Sequence, residues 1–188
     1  MIIVLAAVTQ FGQVSWAAPL IGLQSDPPHL SALQVGQTVT IDVVLSGLAG
    51  GDVLELLGAE VDYSNTHFRL PTVLPGAIIP DVTGFEPDEF AGLAGGSFDM
   101  DDTLSGTDQI TANGIFFSFD VQARRGGMGQ FTVGFADAFG LAGAIDGADA
   151  GSPLPYTVIP EPMSAFVVLS AVLMLGRGRR GRVAAPPQ

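Results

Sequence analysis

The densest group of chemistry-bearing side chains in this sequence is acidic. Asp99, Asp101 and Asp102 fall within four residues, with Ser105, Thr107 and Asp108 close behind. Carboxylates at that density could chelate Ca²⁺, a hard cation that takes about six to eight oxygen ligands. The spacing is not that of an EF-hand loop. Leu104 stands where the sharp turn needs glycine, and Ile110 stands where a bidentate glutamate belongs. The alternative reading of the same residues is a solvated acidic loop. A second acidic group, Glu86-Pro87-Asp88-Glu89, joins the first only if the two loops converge.

Catalytic arrangements fail in turn. There is no cysteine, so thiol nucleophiles, disulfides and thiolate metal sites are excluded. His29 and His67 are the two candidate general bases near neutral pH. His29 follows Pro27-Pro28, and His67 sits in a Ser64-Asn65-Thr66 turn. Neither lies beside a nucleophile elbow or in a His-Glu-x-x-His helix, and both read as surface residues. A glycosidase needs two carboxylates held across a cleft, a pairing that sequence does not supply. Ala94-Gly95-Gly96 has no following lysine and makes no phosphate loop. Arg124-Arg125 reads as a hairpin tip. The expectation is a chain that is not an enzyme.

The C-terminus carries a different kind of information. Pro160-Glu161-Pro162 is followed by an uncharged apolar run, and then by Arg177, Arg179, Arg180 and Arg182. Clustered arginine beside an apolar segment stays cytoplasmic, so everything before the run is expected outside. Met163–Gly176 is 14 residues, about 21 Å of transmembrane helix at ~1.5 Å per residue. That is short against a hydrocarbon core of about 30 Å, although snorkelling arginines relieve part of the mismatch. On physical grounds a permanent anchor and a processed segment stand level. The order Pro-Glu-Pro, apolar helix, arginine cluster resembles the PEP-CTERM sorting signal of Gram-negative bacteria. The resemblance implies recognition by an exosortase, cleavage near the Pro-Glu-Pro, and delivery to the cell surface or exopolysaccharide matrix. At the other end, Ile2 to Val8 is apolar, and Ser15-Trp16-Ala17 forms an A-x-A-like cleavage site before Ala18. Residues 1–17 therefore read as a signal peptide, with a buried first strand as the alternative. The expected organisation is a linker over 18–29, one domain over 30–159, and the sorting signal over 160–188.

Eighteen of the nineteen carboxylates, but only Arg69, Arg124 and Arg125 of the seven basic residues, lie between Ser25 and Ile159. Such a surface repels nucleic acid and anionic lipid, and attracts divalent cations or basic partners; solubility alone is the plainer reading. Strand signals dominate this region. Val39, Ile41, Val43 and Leu45 alternate with polar residues, as do Leu57, Ala59, Val61 and Tyr63. Ile115, Phe117, Phe119 and Val121 predict a third inward row, and Phe131, Val133 and Phe135 a fourth. Shorter candidates are Ser31 to Val35, Phe68 to Leu70 and Tyr156 to Ile159. Leu74 to Gly106, with Pro75, Pro80 and Pro87, reads as long loops with one or two edge strands. The separators are glycine-rich turns, and no long amphipathic helix interrupts them. This pattern predicts an all-β, two-sheet antiparallel sandwich of jelly-roll type.

Four places resemble the cohesin family, a nine-stranded sandwich that binds dockerin modules in cellulosomes. Val35-Gly36-Gln37-Thr38-Val39-Thr40-Ile41 is similar to the family's opening and first long strand. Gly58 to Ser64, followed by Phe68 and Leu70, is similar to a strand ending in Tyr-Asp. Gly114 to Val121 is similar to its phenylalanine-rich strand, and Gly129 to Val133 with Asp137 to its late hairpin. The resemblance implies the fold from Leu30 to Ile159; fold alone does not decide function. The expected role is an exported, non-catalytic surface or matrix protein in adhesion or biofilm structure. The alternative is a carbohydrate- or protein-binding module, with or without calcium. Sugar stacking needs exposed aromatics, and past the leader the only residues of that kind besides phenylalanine are Tyr63 and Tyr156.

Overall fold

The computed structural model describes residues 18–69, 71–80, 82–99, 109–140 and 145–160. The strands in chain order are β1 (Leu20–Asp26), β2 (Leu33–Gln34), β3 (Thr38–Ser46), β4 (Leu54–Asp62) and β5 (Thr72–Pro75). A 3-10 turn (Val82–Gly84) leads into β6 (Phe85–Phe90) and β7 (Leu93–Asp99). There follow β8 (Gly114–Gln122), β9 (Gly127–Gly140), β10 (Asp149–Ala150) and β11 (Leu154–Ile159). They form two sheets, ordered β10-β1-β3-β8-β5 and β2-β11-β9-β4-β7-β6. All pairs are antiparallel except β1 with β10 and β2 with β11, which are parallel. The expected two-sheet all-β sandwich is present, with these two parallel edges as a difference.

The clean alternation of β3 does what period two requires. Val39, Ile41, Val43 and Leu45 are buried, and Thr38, Thr40 and Asp42 lie on the other face. The same holds for Leu57, Ala59, Val61 and Tyr63 on and after β4. Between the sheets, Tyr63, Phe68, Phe119, Phe131 and Tyr156 form an aromatic cluster, with Phe131 ring centroids 5.2 Å from both Phe68 and Tyr156. A second cluster joins Phe85, Phe116 and Phe117. The two sheet edges meet where the Val73 amide donates to Glu89 Oε1 at 2.7 Å.

Two expected inward rows are displaced by β-bulges. On β8, Val43 pairs with Phe117 but Val44 pairs with Ile115. Phe116 is therefore an extra residue; it and Phe117 both point into the core, and Ile115 is only half-buried. On β9, Val61 pairs with Val133 and Glu60 with Phe135, leaving Gly134 unpaired. Past that bulge Ala136 and Ala138 face inward, and Phe135 turns outward with 47% of its surface exposed. One inserted residue exchanges the faces of everything beyond it.

Two segments depart further from expectation. Residues 18–29 do not serve as a linker, because Leu20–Asp26 pairs with β3 over its whole length. Only Ile21 of that strand is fully buried, which left the alternation too weak to read. Leu74 to Gly106 holds β6 and β7 as well as the end of β5, and β7 lies inside its sheet, between β4 and β6. Pro75 ends an edge strand and Pro87 sits on the edge strand β6, where a missing N–H costs no ladder bond. Ser31 to Val35 contributes only the two-residue β2, and Phe68 only a bridge to Ala123.

Candidate binding face

The outward side of β6-β7-β4-β9 brings acidic and aromatic side chains together. Strand register lays them in rows across the sheet. Asp99 and Leu56 lie beside Phe139. Next come Glu86, Ser97, Gly58 and Asp137, then Asp88, Gly95, Glu60 and Phe135. Asp62 closes the face beside Leu93. Six carboxylates, those of Glu60, Asp62, Glu86, Asp88, Asp99 and Asp137, thus share one surface with Leu56, Phe135 and Phe139. Among the described residues no arginine lies in these rows.

Small residues shape this surface into a groove of about 760 Å³, with Gly58 and Ser97 among its lining and Thr83-Gly84 at its rim. A Cβ on Gly58 would stand 3.4 Å from Phe135 Cε1, so the ring lies over a backbone that has no side chain. A Cβ on Gly95 would meet Asp88 Cβ and Glu60 Cγ, both at 3.2 Å. Glycine inside a strand marks such close approaches. Gly96, on the opposite side of β7, makes room in the core for Phe85 and Phe117. The Asp137 carboxylate accepts from the Ala138 amide at 2.9 Å. Carboxylates spread over a sheet and flanked by exposed rings can attract a basic partner and give it apolar anchor points.

The anticipated site residues fare unequally. Asp99 ends β7 on this face and is exposed; Asp101, Asp102 and Asp108 lie outside the described residues. Glu86 and Asp88 project outward, whereas Glu89 turns to the other side and binds Val73. His29 is exposed. His67 is not a plain surface residue: it is half-buried, with Nδ1 2.9 Å from the Tyr156 hydroxyl. Burial raises the Tyr156 pKa above the ordinary tyrosine value, partly offset by hydrogen bonds with Ser64. Burial raises that of Tyr63 too, offset by the Gly92 backbone. Both tyrosines are buried, so neither offers a ring to a sugar. Pro160 is the last described residue of its region. Glu161, Pro162, Met163–Gly176 and the four terminal arginines lie outside. Among the described residues no helix is long and apolar enough to cross a membrane. Sequence reasoning missed Leu56, Phe135 and Phe139; the strand glycines Gly58, Gly95 and Gly96 were the available signal.

Known structures share this arrangement of sheets. The seventh ScaB type I cohesin from Pseudobacteroides cellulosolvens superposes with a TM-score of 0.61 at 16% identity, covering 76% of this chain and 93% of that one. A cohesin from Clostridium thermocellum, solved in a type I cohesin–dockerin complex, gives 0.60 at 15% identity over 76% and 94% of the two chains. The sandwich has the cohesin fold. A non-cellulosomal cohesin from the archaeon Archaeoglobus fulgidus gives 0.56 at 10% identity over 80% and 98%. No protein-family model and no curated protein sequence matches the chain. At these identities the likeness is one of fold.

Proposed function

We propose that this chain is an exported, non-catalytic protein-binding module of the bacterial cell surface or exopolysaccharide matrix. In this reading the acidic, phenylalanine-bearing face of β6-β7-β4-β9 receives a basic partner. One observation carries the reading: six carboxylates and the exposed rings of Phe135 and Phe139 share a single sheet surface. Exposed aromatics in a contiguous patch mark interaction sites, and a single-sign field speeds encounter with an oppositely charged partner. The fold neighbours solved in cohesin–dockerin complexes make dockerin modules the first partners to try.

The test is a photo-crosslinking residue placed at Phe135 in the native host, compared with one at Thr40 on the opposite sheet. Discrete protein adducts at position 135 alone support the reading, and equal or absent adducts at both positions refute it. Titration with dockerin modules then identifies the partner class. The sorting half rests on Pro160-Glu161-Pro162, the apolar run and the terminal arginines. Mass spectrometry of the mature protein tests it separately. Chains ending near Pro162 support exosortase processing, and chains ending at Gln188 refute it.

A further inference from the structure

The three arginines of the sandwich are not scattered. The Arg69 amide donates to the Gln122 carbonyl, and the Arg124 amide to the His67 carbonyl at 2.8 Å. Arg124 Nε donates to the Thr66 carbonyl at 3.2 Å, and Arg125 is next in sequence. All three side chains are exposed at the end of the sandwich where β8 finishes and β9 begins. The chain leaves from this same pole. A Cβ on Gly126 would stand 2.8 Å from Pro160 Cγ, so Pro160 lies against the arginine turn. Beside it are Met128, 78% exposed, and Ile159, 45% exposed. They are diagonal neighbours on one face, since Met128 pairs with Thr157. The first described residues are at the opposite pole, where Ala18 and Pro19 lie against Gly47. The nine residues of β3 separate the poles by about 30 Å at ~3.4 Å per residue.

Only Glu161 and Pro162 stand between this pole and the apolar run that opens at Met163. The three Cα–Cα steps from Pro160 to Met163 span at most about 11 Å. A headgroup layer is about 5–7 Å deep on each side of the hydrocarbon. With the run in a bilayer, the tether holds the arginine pole within a few ångströms of the headgroup layer.

We infer that this pole rests on an anionic lipid surface. Arg69, Arg124 and Arg125 meet the lipid phosphates, and Met128 and Ile159 meet the outer acyl boundary. The module is thereby held upright, with its acidic face turned sideways to solvent. The module's net negative charge does not oppose this contact. Charges more than about 8 Å apart at physiological salt are largely screened, so the lipid responds to the arginines nearest to it. Among the described residues Asp26, Asp62 and Asp120 are the carboxylates closest to this end by register, and Glu161 follows Pro160 in sequence. Asp120 is engaged with the Thr40 hydroxyl at 2.6 Å. Arginine suits the role because its planar fork takes two phosphate oxygens at once. The inference rests on the apolar run entering the bilayer, and not on the partner proposed for the acidic face.

The full chain has no cysteine, so single-site labelling is direct. Thr66→Cys marks the arginine pole and Ala49→Cys the opposite one. Each labelled chain is reconstituted in vesicles of phosphatidylcholine, alone or in equal parts with phosphatidylglycerol, and energy transfer to an acceptor lipid is read. The expected result is strong transfer from position 66 and weak transfer from position 49, with the position-66 signal higher on anionic vesicles. That excess should vanish in R69Q/R125Q, and in about 1 M salt, where the Debye length is about 3 Å. A tether acting alone predicts a signal indifferent to lipid charge, salt and the arginines, and that outcome overturns the inference. Equal transfer from both poles also overturns it. Flotation of each sample tests the premise: chains that do not float with either vesicle remove the inference at its root while leaving the acidic face untouched.

Discussion

The bulge at Gly134 makes a prediction that separates two readings of β9. An unbroken alternation would put Val133, Phe135 and Phe139 on one face and Ala138 on the other. The structure instead buries Val133 (7% exposed) and Ala138 (0%), and exposes Phe135 (47%) and Phe139 (43%). Lysine placed singly at each position reads the difference. At Val133 or Ala138 it forces an ammonium group into an apolar core with no partner, at a cost of about 3–5 kcal/mol. A domain of this size is stable by about 5–15 kcal/mol, so a large part is lost. With a urea slope of about 1–3 kcal/mol per molar, the unfolding midpoint falls by about 1 M or more. At Phe135 the loss is the half of the ring that packs over Gly58. Full burial of such a side chain is worth about 1.5–3 kcal/mol, which puts the loss near ~1 kcal/mol. Attraction of the new ammonium to Glu60 and Asp137 offsets up to about 1 kcal/mol of this. F135K and F139K should therefore unfold close to the parent, and V133K and A138K far below it, in urea titrations followed by circular dichroism. Should F135K fall as far as V133K, or A138K match the parent, β9 keeps a single phase and the bulge argument is wrong.

Other outcomes follow from the same packing. Phe131→Ala removes the ring shared by Phe68, Tyr156, Phe119 and Tyr63, and thermal or urea unfolding should show a loss of about 3–5 kcal/mol. Gly96→Ala puts a methyl 2.6 Å from Phe85 Cε2 and should cost about 1–3 kcal/mol by overpacking, measured in the same unfolding experiments. The raised pKa values of Tyr63 and Tyr156 mean that the folded state holds both phenolic protons more tightly than the unfolded chain does. Their contribution is complete below the unfolded value of about 10 and is lost as pH rises through the folded values. Unfolding midpoints should therefore fall above about pH 10, together with the rise in tyrosinate absorbance. The fall should be shallower in Y63F/Y156F, and an equally steep fall there would assign the effect elsewhere. If a dockerin module or a basic partner binds the acidic face, Phe135→Ala should weaken it by about 2 kcal/mol or more. Added salt should slow association more than it speeds release. Stopped-flow mixing at two ionic strengths checks both.

How far each element could be read depended on whether its neighbours in space obeyed the same rule as its neighbours in sequence. β3 and β4 were legible because every inward position is apolar and no irregularity interrupts the main run. β7 was not, because Leu93-Ala94-Gly95-Gly96-Ser97 has the composition of a turn. It is a strand because Gly95 and Gly96 admit Asp88, Glu60 and Phe85 from neighbouring strands, contacts made by residues distant in the chain. The acidic cluster from Asp99 onward drew attention through local density. The face that the structure assembles joins Asp99 to Glu60, Asp62, Glu86, Asp88 and Asp137, whose separation in sequence hides their proximity.

By itself, the chain's order of residues determined that this is an all-β sandwich with a strongly acidic surface, and that its extremities are apolar with arginine at the last. Period two and charge are properties of a segment and can be counted along it. Which side chains share a face was decided only by tertiary structure. Bulges at Phe116 and Gly134 arise from pairing with β3 and β4, and a one-residue shift in pairing reverses a strand's two sides. The same pairing turned Phe135 from a core residue into a surface one, and gathered Arg69, Arg124 and Arg125 at the end from which the chain departs.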